Sequence, residues 1–130
     1  MIDKINLSGC AIIESDKLLL LWKIKQKHYE FPGGKVERHE TIESAALREC
    51  REEIGVNLEL GELFYSNDFK IDNKLFTSNI YLAKITEDMQ PEIKEKDVFR
   101  NILWMHLRDY KKYELAPNVI DFCEKYLKHL

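Results

Sequence analysis

Residues 41–54 constrain this chain more than any other stretch. Ile42, Ala45, Ala46, Cys50 and Ile54 recur at helical spacing, Thr41 is placed as an N-cap, Glu43 suits the first turn, and Gly55 occupies the left-handed position just past the end. The predicted helix carries Glu49, Glu52 and Glu53 at i, i+3 and i+4, so the three carboxylates share one face. They lie in its last turns, where the helix dipole already disfavours negative charge, and each like-charge pair adds about 0.2–0.5 kcal/mol of repulsion. Arg48 and Arg51 flank the cluster, but from neighbouring positions they are not expected to cancel it. A helix chosen for stability carries lysines there. Breaking the local rules in one place without a local gain marks a site, and a cation supplies the gain. The side-chain donors are all oxygens, which selects a hard ion, Mg²⁺ first and Mn²⁺ second, over zinc or copper.

The rest of the chain reads as a frame for this helix. Residues 6–14 and 17–24 form two strands around a Ser15-Asp16 turn, the second dense in leucine and buried on both faces. Residues 25–30 are a polar connection, and Phe31-Pro32-Gly33-Gly34 stops regular structure and lets the backbone approach something closely. Two long strands, 60–71 and 74–85, meet at an Asp72-Asn73 turn. A further strand spans 101–107. Residues 117–130 form an amphipathic helix with Val119, Ile120, Cys123, Tyr126, Leu127 and Leu130 on its apolar side. The order implies an α/β fold, a mixed sheet covered on both faces, in one domain over 1–130.

The composition agrees with that frame. The chain has 130 residues, 45% hydrophobic and 33% charged, with a formal net charge of −3, which suits one compact domain with a real core. The longest apolar run, residues 18–22, is far short of a membrane span. Cys10, Cys50 and Cys123 outline neither a disulfide framework nor a zinc cluster and read as buried thiols. Leu7-Ser8-Gly9-Cys10 mimics a lipoprotein cleavage box, but six residues with Asp3 among them are no apolar export segment. The expectation is a cytoplasmic protein, monomer or homodimer.

Residues 34–56 read GKVERHETIESAALRECREEIGV and satisfy G-x5-E-x7-R-E-U-x-E-E-x-G-U at every fixed position, with Cys50 and Val56 in the bulky apolar U places. A chance match at a given start is on the order of 10⁻⁹ from ordinary residue frequencies. This segment resembles the signature of the Nudix hydrolases, and the Phe31-Pro32-Gly33-Gly34-Lys35 lead-in is similar to the MutT-type branch. The resemblance implies an α-β-α sandwich with a curved mixed sheet, a loop–helix–loop catalytic motif and a C-terminal helix. It implies Glu49 and Glu53 as core metal ligands and Glu52 as a third ligand or the proton acceptor, with a modest preference for the latter. Glu40 reaches the site from the preceding loop, directly or through water. The Gly33 carbonyl is a further ligand, its glycine explained by a side chain that would otherwise obstruct the metal. Arg48 orients a box glutamate, and Lys35 does that job or binds phosphate. Gly34 and Gly55 set backbone geometry.

The implied activity is Mg²⁺-dependent hydrolysis of a nucleoside diphosphate linked to another moiety, foremost a nucleoside triphosphate attacked at the β-phosphorus. ADP-ribose, dinucleoside polyphosphates and nucleotide sugars are alternatives, and a nucleotide-sensing module without catalysis is a second one. An acidic chain without a basic stripe disfavours a nucleic-acid polymer as partner. Outside the box, Lys23 sits where the MutT-type branch often has a phosphate-binding residue, against the reading of a surface lysine. Asn118 is placed like an asparagine that reads a purine edge, against the reading of a helix cap. Tyr29, Phe31 and Phe76 are candidates for stacking on a base, though strand aromatics are more often core. Of Glu92, Glu95 and Asp97 ahead of Trp104, Glu95 or Asp97 is the candidate for an additional acidic residue. His28, His39, His106 and His129 form no cluster and read as surface or satisfied residues.

Overall fold

A leucine-rich strand that is apolar on both faces needs a layer on each side, and the chain supplies a helix for each. The computed structural model describes residues 4–130. Its elements are β1 (Lys4–Glu14), β2 (Lys17–Lys23), β3 (His28–Glu30), β4 (Gly33–Lys35), α1 (Ile42–Ile54), β5 (Leu58–Ile71), β6 (Lys74–Ile85), β7 (Phe99–His106), a 3-10 turn (Leu107–Lys112) and α2 (Pro117–Lys128). Strand order is β3-β2-β1-β6-β5, with β4 on β1 and β7 on β2. β1 runs parallel to β6 from Lys4↔Leu75 to Ile12↔Ala83, whereas it meets β2 only around their shared turn. The sheet therefore splays at β1, and the fork is where β4 and α1 enter.

Alternation along β2 builds two cores. Leu18 and Leu20 pack with Phe31, Val119, Phe122 and Cys123 under α2. Leu19 and Leu21 pack with Ala46, Cys50 and Ile54 under α1. The expected α-β-α sandwich with a mixed sheet and a C-terminal helix is present. Thr41 caps α1 in a reciprocal box with Ser44, and Gly55 closes it at φ 69° with its N–H on the Arg51 carbonyl. Tyr81 donates its hydroxyl to Glu43 at 2.7 Å and ties α1 to β6.

Several expectations need correction. The supposed polar connection contains β3, whose Tyr29 and His28 pair with Trp22 and Lys23; a three-residue strand without apolar alternation leaves little sequence signal. The glycine pair does not end regular structure. Gly33–Lys35 is a strand in register with Leu7–Gly9, because Gly9 opposite Gly33 lets two backbones come unusually close. A β-carbon on Gly9 would lie 2.5 Å from the Pro32 carbonyl oxygen, and one on Gly33 2.6 Å from both Gly9 Cα and the Ser8 carbonyl oxygen. Strand packing alone is thus enough to require Gly33. The 3-10 turn was not anticipated. Ile120 and Leu130 are 37% and 67% exposed, so neither belongs to the buried side of α2.

The close glycine contact should be visible in stability. Gly9→Ala is expected to cost at least about 1–3 kcal/mol in denaturant unfolding, the scale of overpacking a tight contact. Gly61→Ala, whose β-carbon meets Leu82 at an easier 3.3 Å, should cost clearly less; equal costs would remove this reading of the β1–β4 seam.

Candidate active site

The register of β4 against β1 places two glycines against the acidic end of α1. Gly33 N–H donates to Glu53 Oε1 at 3.0 Å. Beside Gly34, the Glu49 carboxylate fills the volume of a missing side chain, with its Cδ 2.6 Å from where a β-carbon would stand. Glu53 is only 3% exposed. Burial, and next the adjacent Glu49, push its carboxyl far above the ordinary carboxylate range, although the Gly33 N–H works in the other direction. Such a group keeps its proton near neutrality unless a positive charge arrives.

Arg48 holds the rest of the cluster and offsets more of its repulsion than neighbouring positions on a helix suggest. Its Nε and Nη2 fork onto Glu40 at 2.6 and 2.8 Å, and Nη1 reaches Glu49 at 3.0 Å and Glu52 at 3.2 Å. Nη2 also donates to the Lys35 carbonyl at 3.0 Å and so binds the helix to β4. The Arg48 hydrogen bonds, with a backbone N–H from Glu37, hold the Glu40 carboxyl down at about 2. Arg51 turns away to Asn57 at 3.1 Å.

The loop before β7 completes the acidic end. Glu92 N–H and Lys94 N–H donate to the Ile54 and Glu53 carbonyls at 3.0 and 2.8 Å, satisfying two of the last helix acceptors. Glu95 follows directly. Partial burial, then the charges of Glu49 and Glu52, raise its carboxyl, and it acts in turn on Glu53. The structure therefore brings Glu95 to the cluster.

Beyond the glycines a groove opens. A recess of about 140 Å³ between Gly33, Gly34, Phe31 and Lys23 adjoins a cleft of about 430 Å³ bounded by Phe69, Phe76, Asn118 and again Lys23. Glu30 braces this wall, accepting His28 at 2.8 Å and lying 3.7 Å from the Lys23 ammonium. Lys23, Asn118, Phe31 and Phe76 are thus gathered along one groove. Phe31 is largely core, edge-on to Phe122 with centroids 5.2 Å apart, while Tyr29 lies outside the groove against Trp22 and Tyr113. Lys35 contributes its carbonyl, which accepts from Arg48. Sequence reading did not find Asn67, Phe69 or Glu30, which also line the cleft; alternation along β5 and β6 was the available signal for Phe69.

A family model described as NUDIX domain matches residues 6–126. The chain belongs to the Nudix family. By that membership it is a hydrolase of phosphoric anhydride bonds, from a family that acts on small nucleotide substrates and generally needs a divalent metal. It is 32% identical over 122 residues to an Escherichia coli protein named Nucleoside triphosphatase NudI, covering 82% of this chain and 85% of that one. It is 40% identical over 82 residues to Bacillus subtilis YtkD, a match over 62% of this chain but only 48% of YtkD. A MutT Nudix hydrolase from Burkholderia pseudomallei superposes with a TM-score of 0.85 at 26% identity, over 95% of this chain and 98% of that one. No described helix is long and apolar enough to cross a membrane.

A divalent ion has donors of the right kind in this Nudix site. As the side chains stand, no three acidic, histidine or cysteine groups among the described residues converge on one point, since Arg48 draws Glu40, Glu49 and Glu52 to itself. Glu53 accepts from the Gly33 N–H and feels Glu49 and Glu95, and no cationic side chain among the described residues bonds to it. Donor chemistry of this type fits a hard cation.

The raised Glu53 carboxyl has a pH signature. An unfolded glutamate releases its proton near 4.5, whereas the folded one retains it, so folding takes up a proton above that pH. The stability it contributes is full below about 4.5 and is lost as pH climbs toward the raised value. In chelator, the wild type should therefore lose melting temperature from about pH 5 to 9 relative to Glu53→Gln, which should match or exceed it at the alkaline end. Parallel profiles for the two proteins would contradict a neutral, buried Glu53.

Proposed function

We propose that this chain is a MutT-like nucleoside triphosphate pyrophosphohydrolase, one catalytic domain over residues 1–130, that releases a nucleoside monophosphate and pyrophosphate. The observation that carries the reading is the meeting of Glu49 and Glu53 with the Gly33-Gly34 strand at the mouth of a groove holding Lys23 and Asn118. A carboxylate cluster at one end and an aromatic, amide-bearing cleft at the other match the two ends of a nucleotide. NudI carries nucleoside triphosphatase in its name, and YtkD carries 8-oxo-dGTP diphosphatase in its name; both support the substrate class.

Glu49, Glu53 and the Gly33 carbonyl are the proposed metal ligands, with Glu40 and Glu52 beside them. Bound there, Mg²⁺, or Mn²⁺ in its place, supplies the positive charge that lets an acidic chain hold a diphosphate and that stabilises charge developing on its oxygens. Arg48 is a positioning residue: its fork onto Glu40 and its bonds to Glu49 and Glu52 fix where those carboxylates start. Glu52 keeps a side chain about half exposed (49%), so it is the group open to water, and it takes the proton as water attacks the β-phosphorus. The nucleoside monophosphate leaves, and the water oxygen ends in pyrophosphate. Lys23, with Glu30 directing its ammonium, meets the phosphates from the groove wall, and Lys35 lies on the strand behind. Asn118 faces the base, and Phe31 and Phe76 form apolar walls. The three free thiols support a cytoplasmic setting.

A panel of canonical and oxidised nucleoside triphosphates, ADP-ribose and dinucleoside polyphosphates tests the substrate. Pyrophosphate is expected as the first product from a triphosphate in the presence of Mg²⁺, and Glu52→Gln should lower kcat by about 10²–10⁴ with the fold intact. Orthophosphate as first product would exclude β-phosphorus attack, and exclusive cleavage of ADP-ribose would move the chain to another branch of the family.

A further inference from the structure

Lys23 lines both the recess and the cleft, and so does Glu30, which puts a carboxylate in the wall of a groove whose proposed occupant is anionic. Strand pairing accounts for the arrangement. His28 and Glu30 are two residues apart on β3 and share a face, and Lys23 on β2 stands directly across from His28. Tyr29 between them packs on Trp22 and Tyr113. Its backbone is pinned, with its N–H on the Glu114 carbonyl at 2.8 Å and its own carbonyl accepting from Ala116 at 3.0 Å. One oxygen of Glu30 then serves its two neighbours unequally. Oε2 accepts from His28 Nε2 at 2.8 Å, a full hydrogen bond, whereas the Lys23 ammonium stands 3.7 Å away, inside ion-pair reach and outside a hydrogen bond. A carboxylate beside a flexible ammonium ordinarily draws it to about 2.8 Å. Here the oxygen nearest the lysine is already taken.

We propose that His28 is a positioning residue: by holding Glu30 Oε2 it keeps that carboxylate from closing on Lys23, so the ammonium stays at the groove wall with its donors free for the substrate's phosphates. The inference rests on the phosphate role proposed above for Lys23. Glu30 still attracts the ammonium toward the wall, and His28 limits that attraction to a distance at which a phosphate wins the contact. The Nε2–H is present in a neutral imidazole of that tautomer as well as in a charged one, so the restraint needs no particular charge on His28. All three side chains are partly exposed. Once the imidazole is removed, the carboxylate is free to swing onto the ammonium, and a phosphate has to displace it before binding.

Calorimetric titration of the full chain with the magnesium complex of inorganic tripolyphosphate tests this in the wild type, Lys23→Ala, His28→Ala, His28→Gln and the double variant His28→Ala/Glu30→Gln. His28→Ala should weaken binding about threefold to tenfold, the scale of a charge-assisted contact between partly exposed groups. His28→Gln, whose amide N–H reaches the place of Nε2, should keep most of the affinity. Adding Glu30→Gln to His28→Ala should restore it, since a neutral amide holds an ammonium more weakly than a carboxylate does. In a Lys23→Ala background, His28→Ala should change nothing further. No loss in His28→Ala, an equal loss in His28→Gln, no recovery in the double variant, or the same loss without Lys23 would each overturn the role of His28 alone. A wild type that does not bind tripolyphosphate, or a Lys23→Ala protein that binds it as tightly as the wild type, would overturn the phosphate role of Lys23 and this proposal with it.

Discussion

Everything at this site depends on how negative charge is held at the C-terminal end of α1. Glu49, Glu52, Glu53 and, from the loop ahead, Glu40 crowd where neither the helix dipole nor their mutual repulsion welcomes them. Arg48 resolves most of the conflict with one guanidinium that spreads over Glu40, Glu49 and Glu52. A lysine could not do this, since a single ammonium lacks the planar fork that engages Glu40 through two nitrogens while a third reaches along the helix. Glu53 is outside that arrangement, buried against a backbone N–H, and it carries the unresolved part of the electrostatics.

The fold serves that arrangement. Because β1 leaves β2 after their turn and follows β6 instead, a gap opens that β4 fills by strand pairing with Leu7–Gly9. Only glycines let this strand pass close enough for carboxylates to reach it from α1. On the opposite side of the helix end, the loop from Glu92 to Glu95 ties off two carbonyls and delivers another acid. The same strands that fix the glycines continue into the floor of the cleft, so the acidic cluster and the cleft share one scaffold.

Much of this was readable in the residues. The helix with its caps, the two-faced leucine strand and the long hairpin follow from periodicity and turn chemistry, and the acid cluster stood out because it violates helix electrostatics. What escaped was set by contacts between distant segments. No local pattern in His28–Glu30 or Gly33–Lys35 announces a strand, since each is three residues long and exists through its partner. Arg48 was legible as the partner of a single box glutamate, not as the hub of several; its reach to Glu40 comes from the fold of the intervening loop.

The central claim is that Glu53 is held neutral until a cation takes its proton's place. Calorimetric titration of Mg²⁺ or Mn²⁺ at neutral pH, repeated in buffers of differing ionisation enthalpy, counts the protons released on binding. Release approaching one proton per protein in the wild type, and close to none in Glu53→Gln, is the result this account predicts. Metal binding without proton release from the wild type would contradict it.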